Sequence, residues 1–99
     1  MTYKLRFKEG VDKDLSKLST TQEMLVLKQF KKLQTSPQLG LPLGNKAGYN
    51  LNGCLKMYVD KKKLRIIYRI EDDEVIVEVI VVGKRDDMKV YAEASKRLD

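Results

Sequence analysis

Eight consecutive residues, Val75–Val82, read VIVEVIVV and contain one polar side chain, Glu78. A run that is apolar at odd and even positions alike has no wet face, so as a strand it belongs in the middle of a sheet covered on both sides. The rest of the 99-residue chain must supply strands for its edges and helices for its faces, and a chain of this size can do that once. The expectation is a single domain over residues 1–99.

The remaining patterns meet that demand. In YKLRFK, Tyr3, Leu5 and Phe7 alternate with Lys4, Arg6 and Lys8, a strand with one dry and one wet face. Val11, Leu15 and Leu18 form the stripe of a short amphipathic helix. Thr20 with Glu23 then reads as a capping box ahead of Val26, Leu27, Phe30 and Leu33, and Ser36–Pro37 ends that second helix. Both prolines and four of the six glycines lie between Ser36 and Gly53, which reads as a long loop of functional interest. CLKMYV and KLRIIYRI are strands joined by polar turns at Asp60–Lys62 and Glu71–Asp73, and Asp86–Leu98 has the spacing of a closing helix. The predicted fold is α+β, in the order β-α-α-β-β-β-α, with a twisted antiparallel-rich sheet, an N-terminal helical hairpin on one face and a C-terminal helix.

If the hairpin covers Leu5, Phe7, Leu55, Met57, Leu64 and Ile66, the opposite face carries Lys56, Tyr58, Lys63, Arg65 and Arg69. Strict alternation along the apolar run groups Val75, Val77, Val79, Val81 and Arg85, so Lys56, Arg65 and Arg85 converge from three strands, with Tyr91 brought near by the last helix. Taken singly, these cations are also what solvated strand ends look like, and Arg65 or Arg69 are placed to pair across a hairpin with acidic neighbours. Together they describe a site for an anion the size of a phosphate.

Composition narrows the chemistry. The net charge of +6 favours a polyanionic partner: residues 1–53 carry nine basic and four acidic side chains, residues 54–99 eleven and ten. With no histidine, two-histidine ribonuclease chemistry and histidine triads are excluded, and Cys54 alone makes neither a disulfide nor a cysteine-rich metal site. No phosphate-binding glycine loop is present, and the carboxylates of EDDE and RDD read as solvated turns, so neither a metal nor a cofactor is expected. The absence of an apolar leader pattern, and Glu78 interrupting the longest apolar run, suggest a cytoplasmic protein without a membrane span.

The segments CLKMYV, LRIIYRIEDDEVIVEVIVVGKR and VYAEASKRL, in this order and spacing, resemble the RelE toxins of the RelE/ParE superfamily, with VIVVGKR and VYAEA the most specific. The resemblance covers nearly the whole chain. It implies a toxin of a toxin–antitoxin system: a ribosome-dependent endoribonuclease that cuts mRNA codons in the A site and is held inactive by a cognate antitoxin, expected to be acidic and partly disordered. The family's active residues carry over to Lys56 as candidate base, Arg65 as clamp on the scissile phosphate, Arg85 as transition-state stabiliser or proton donor, and Tyr91 as a stacking or orienting group. Where close relatives have a second lysine two residues after the first, this chain has Tyr58, itself a candidate participant. Lys4, Arg6, Lys8, Lys61, Lys62, Lys63, Lys84 and Lys89 are the candidate RNA and ribosome contacts. The alternatives are a gyrase-directed toxin of the ParE branch and a catalytically silent homologue that acts only as a binding partner.

Overall fold

The computed structural model describes residues 2–46, 48–84 and 89–98. Five strands form one sheet: β1 (Lys4–Phe7), β2 (Leu41–Lys46), β3 (Tyr49–Val59), β4 (Leu64–Glu71) and β5 (Ile76–Lys84). Its order is β1-β5-β4-β3-β2, with β1 parallel to β5 and the other pairs antiparallel. The apolar run thus lies within the sheet as β5, between β1 and β4.

Helices α1 (Val11–Ser16) and α2 (Thr20–Thr35) cover one face. Val11, Val26, Phe30 and Leu33 pack there on Leu64, Ile66, Tyr68, Val77 and Val79. Leu27, expected in the same stripe, is 45% exposed. The cap of α2 also sits one residue earlier than the sequence suggested: Ser19 Oγ accepts from Gln22 N–H, and the Gln22 side chain accepts from Ser19 N–H. On the other face α3 (Lys89–Leu98) lays Val90, Tyr91 and Ala94 over Ile67, Ile80, Val81, Cys54 and Leu51. Residues 86–88, expected as the start of this helix, lie outside the described residues.

The expected loop from Ser36 to Gly53 is corrected to a 3-10 turn (Pro37–Leu39), the edge strand β2 and the first half of β3. The hydroxyl of buried Tyr68 orders its start, donating to Pro37 C=O at 2.7 Å and accepting from Gly40 N–H at 2.9 Å. Pro42 is tolerated because β2 is an edge, and Gly44, at φ 60°, sits at the register shift between β2 and β3. The order is therefore β-α-α-β-β-β-β-α, one strand more than the pattern predicted, within the same α+β class.

The expected alternation along β5 also fails at one place. Ile67 pairs with Val81 but Tyr68 pairs with Val79, so Ile80 is the extra residue of a β-bulge. Val77 and Val79 face the helical hairpin, whereas Ile80 and Val81 face α3 and Val82 returns to the hairpin side. Two side chains take up backbone groups at the bulge. Asp14 Oδ2 accepts from Val82 N–H at 3.0 Å, and Arg97 Nη1 donates to Ile80 C=O at 2.9 Å. Arg97 and Asp14 also form a two-pronged ion pair, at 2.8 and 3.0 Å, that ties α3 to α1.

Candidate active site

On the α3 side of the sheet, β4 offers Arg65 and Arg69, and the structure treats them oppositely. Arg69 sits opposite Glu78 in the ladder and pairs with it at 2.7 Å and with Glu71 at 3.2 Å. Arg6 joins from β1, 2.9 Å from Glu78 and 3.2 Å from Glu74. Burial pushes the Glu78 carboxyl up, but the hydrogen bonds and charges of Arg69 and Arg6 outweigh it and hold the group below the usual range. This network satisfies the one polar residue of the apolar run and leaves Arg6 and Arg69 committed to structure.

Arg65 is opposite Gly83 and has no carboxylate across the strand. It is only 5% exposed, and its Nε and Nη1 have no hydrogen-bond partner among the described residues. Two aromatic rings hold it instead: its guanidinium carbon lies 4.6 Å from the centre of the Tyr91 ring and 5.6 Å from that of Tyr58. Such contacts contribute about 0.5–2 kcal/mol each, against several kcal/mol for burying an ion. The guanidinium is held in place while two of its three nitrogens remain unsatisfied among the described residues.

Arg65 lies at the base of a cleft of about 870 Å³ lined by Gln22, Lys46, Lys56, Tyr58, Lys61, Lys62, Lys63, Leu64, Lys84 and Tyr91. Seven of its eleven described lining residues, Arg65 included, are Lys or Arg and none of these eleven is acidic, so this lining suits a phosphodiester and repels a divalent metal ion. Among the described residues no three carboxylate or thiol side chains group in a way that would hold a metal.

Lys56 and Tyr58 leave β3 on the same face. Lys56 Nζ donates to the Tyr58 hydroxyl oxygen at 3.1 Å and lies 5.2 Å from its ring centre, with Lys62 Nζ at 5.9 Å. The Lys56 hydrogen bond, opposed by partial desolvation and reinforced by Arg65, lowers the Tyr58 phenol from 10.0 to about 8.

The three lysines of the β3–β4 turn reach the cleft through unusual backbone. Asp60, Lys61 and Lys62 stand at φ 56°, 53° and 71°, the left-handed region that costs an L-residue about 1–2 kcal/mol. Lys63 N–H donating to Asp60 C=O at 2.9 Å and Gln22 Nε2 donating to Asp60 Oδ2 at 3.1 Å hold the turn. Lys62→Gly should therefore act with opposite signs on fold and binding. Unfolding free energy in urea rises by about 0.5–1 kcal/mol as the strain is relieved, while the slope of log affinity for single-stranded RNA against log salt falls by about 0.7.

Of the residues picked out in the sequence, the structure gathers Lys56, Tyr58, Lys61, Lys62, Lys63, Arg65, Lys84 and Tyr91 around one cleft. Tyr91 is 1% exposed, and what it offers the cleft is a ring face under Arg65, not an open surface for a nucleobase. Lys4, Arg6, Lys8 and Lys89 are not among the residues lining it. Arg85 lies outside the described residues. Lys46 and Gln22 were missed; Lys46 belongs to the segment read as loop, and Gln22 would have stood out had the capping box been placed at Ser19.

The sheet, its two helical layers and this cationic cleft define a small toxin fold, and comparison with known proteins agrees. Residues 5–88 match the family described as the ParE toxin of the type II toxin–antitoxin system parDE. The chain is 34% identical over 98 residues to the mRNA interferase toxin RelE of Escherichia coli and to the mRNA interferase RelE of Shigella flexneri, covering 99% of each partner in both comparisons. A free-state structure of a double arginine-to-alanine mutant of E. coli RelE superposes with a TM-score of 0.78 at 31% identity over the whole of both chains. The toxin–antitoxin complex RelBE2 of Mycobacterium tuberculosis gives 0.71 at 28% identity, over 86% of this chain and 100% of that one. The chain belongs to the RelE/ParE family of type II toxins, as a RelE-like member.

Proposed function

We propose that this toxin is a ribosome-dependent mRNA endoribonuclease that cuts codons in the A site by attack of a ribose 2′-hydroxyl on the adjacent phosphate. The observation that supports this reading is Arg65, buried yet with Nε and Nη1 unpartnered among the described residues, at the base of a cleft whose described lining carries no carboxylate. A buried guanidinium left unsatisfied costs stability unless an anion completes it, and a phosphodiester oxygen is the ligand its fork suits. Lys56 and Tyr58 stand beside it for proton transfer, and Lys61, Lys62, Lys63 and Lys84 hold the flanking backbone. Arg85, two residues beyond Gly83, completes the set as a stabiliser of the transition state. The reaction needs no metal, because the cleft residues supply positive charge themselves.

Such a set is weak without a substrate already bent for attack, and the decoding site supplies that geometry. The protein accordingly works in the cytoplasm as a single domain over residues 1–99. No helix among the described residues is long and apolar enough to cross a membrane. Two of the solved relatives are toxin–antitoxin complexes. The same kind of partner fits this chain: an acidic, partly disordered antitoxin that folds over the basic face. A gyrase-directed activity is the second reading, favoured by the family description that matches residues 5–88.

Reconstituted translation with primer extension tests the two. Added toxin is expected to produce new transcript ends within translated codons, absent when ribosomes are omitted. Inhibited supercoiling by gyrase with intact transcripts would establish the second reading in place of the first.

A further inference from the structure

We infer that Tyr58, hydrogen-bonded to Lys56, is the general base that takes the proton from the 2′-hydroxyl. This rests on the ribonuclease reading and replaces Lys56, the residue the sequence pattern nominates, in that role. The two groups are already joined by a hydrogen bond of 3.1 Å in which the amine is the donor and the phenol oxygen the acceptor. Lys62 and Arg65 bring two further positive charges to 5.9 and 5.6 Å from the Tyr58 ring. Three cations around one phenol favour its anion, and an ammonium has no lone pair with which to take a proton, so the oxygen is the better acceptor. The lowered phenol value of about 8 agrees with that placement. A base tuned towards the working pH is present in its active form for a useful fraction of encounters.

The step balances within the pair. The 2′-oxygen forms its bond to phosphorus as its proton passes to the Tyr58 oxygen. The bond from phosphorus to the 5′-oxygen breaks, and that oxygen takes a proton from the Lys56 ammonium. The products are a 2′,3′-cyclic phosphate and a free 5′-hydroxyl. Tyr58 is then a neutral phenol and Lys56 a neutral amine, and transfer of one proton back across the 3.1 Å hydrogen bond restores the starting state. Arg65 meets the charge that develops on the phosphoryl oxygens.

The test is single-turnover cleavage on programmed ribosomes across pH. In the unmodified protein the rate should rise with an inflection near pH 8 and then level. Tyr58→Phe, which keeps the ring and its packing, should cut at least about 100-fold more slowly, with ribosome binding and melting temperature unchanged and the inflection gone. Site-specific 3-fluorotyrosine at position 58, a more acidic phenol, should move the inflection to lower pH, which a purely structural ring would not do. Cleavage by Tyr58→Phe at the normal rate, or an inflection indifferent to fluorination, overturns the assignment and leaves the ribonuclease reading standing. No cleavage by the unmodified protein at any pH overturns both.

Discussion

Arg65→Met is expected to unfold at higher temperature than the parent protein while its cleavage activity falls by at least about 100-fold. The two effects have one cause. Arg65 is 5% exposed, carries a charge it cannot lose, and leaves Nε and Nη1 unsatisfied among the described residues. Unsatisfied buried polar groups cost about 1–3 kcal/mol, and charged ones more. Methionine fills a similar volume, removes that penalty, and replaces the cation–π contacts to Tyr58 and Tyr91 with sulfur–aromatic contacts of about 0.3–1.5 kcal/mol. The net gain should be about 1–2 kcal/mol, or on the order of 4–15 °C for a domain this size. Activity moves the other way, because removing one donor aimed at the developing charge typically costs 10²–10³ in rate. Calorimetry and primer extension on the same preparation would check both. A melting temperature that falls would mean Arg65 is a structural residue after all, already satisfied in the free protein.

The contrast between Arg65 and Arg69 shows what was legible in the sequence and what was not. Both share a face of β4, and period-2 alternation placed them there correctly. Which of them meets a carboxylate depends on register with β5, and that register contains a bulge at Ile80 that no local pattern announces. The buried strand itself was legible because eight residues with one polar member leave few alternatives. Strand β2 was not, because Pro42, Gly40 and Gly44 carry turn propensity. The force that overrides it is remote: the hydroxyl of Tyr68, 28 and 31 residues further along the chain, binds Gly40 and Pro37. Lys46 was lost with it. The cleft's cations on β3, β4 and the intervening turn were readable because a hairpin keeps sequence neighbours together. The contact of the Tyr91 ring with Arg65 was not, since it depends on where α3 docks.

That docking depends on the ion pair between Asp14 and Arg97, whose loss should be the most damaging single change to the fold. Their side chains are 11% and 13% exposed, and each also serves the bulge of β5. Gly10, at φ 105°, lets the guanidinium lie against the start of α1; a Cβ there would come within 2.8 Å of it. Arg97→Met leaves the Asp14 carboxylate buried with one backbone donor and the Ile80 carbonyl without its side-chain partner. Breaking such a pair costs about 3–5 kcal/mol, a large share of the roughly 5–15 kcal/mol that holds a domain together. The loss should begin at α3, because Arg97 is what ties that helix to α1, and freeing α3 withdraws Tyr91 from Arg65. Native-state hydrogen exchange would then show the amides of α3 losing protection before those of β4 and β5, with ribosome-dependent cleavage reduced even at temperatures where the sheet persists. A double-mutant cycle of Asp14→Ala and Arg97→Ala should give a coupling of about 2 kcal/mol or more. A coupling near zero, with α3 as protected as in the parent protein, would assign the helix's docking to Val90, Tyr91 and Ala94 alone.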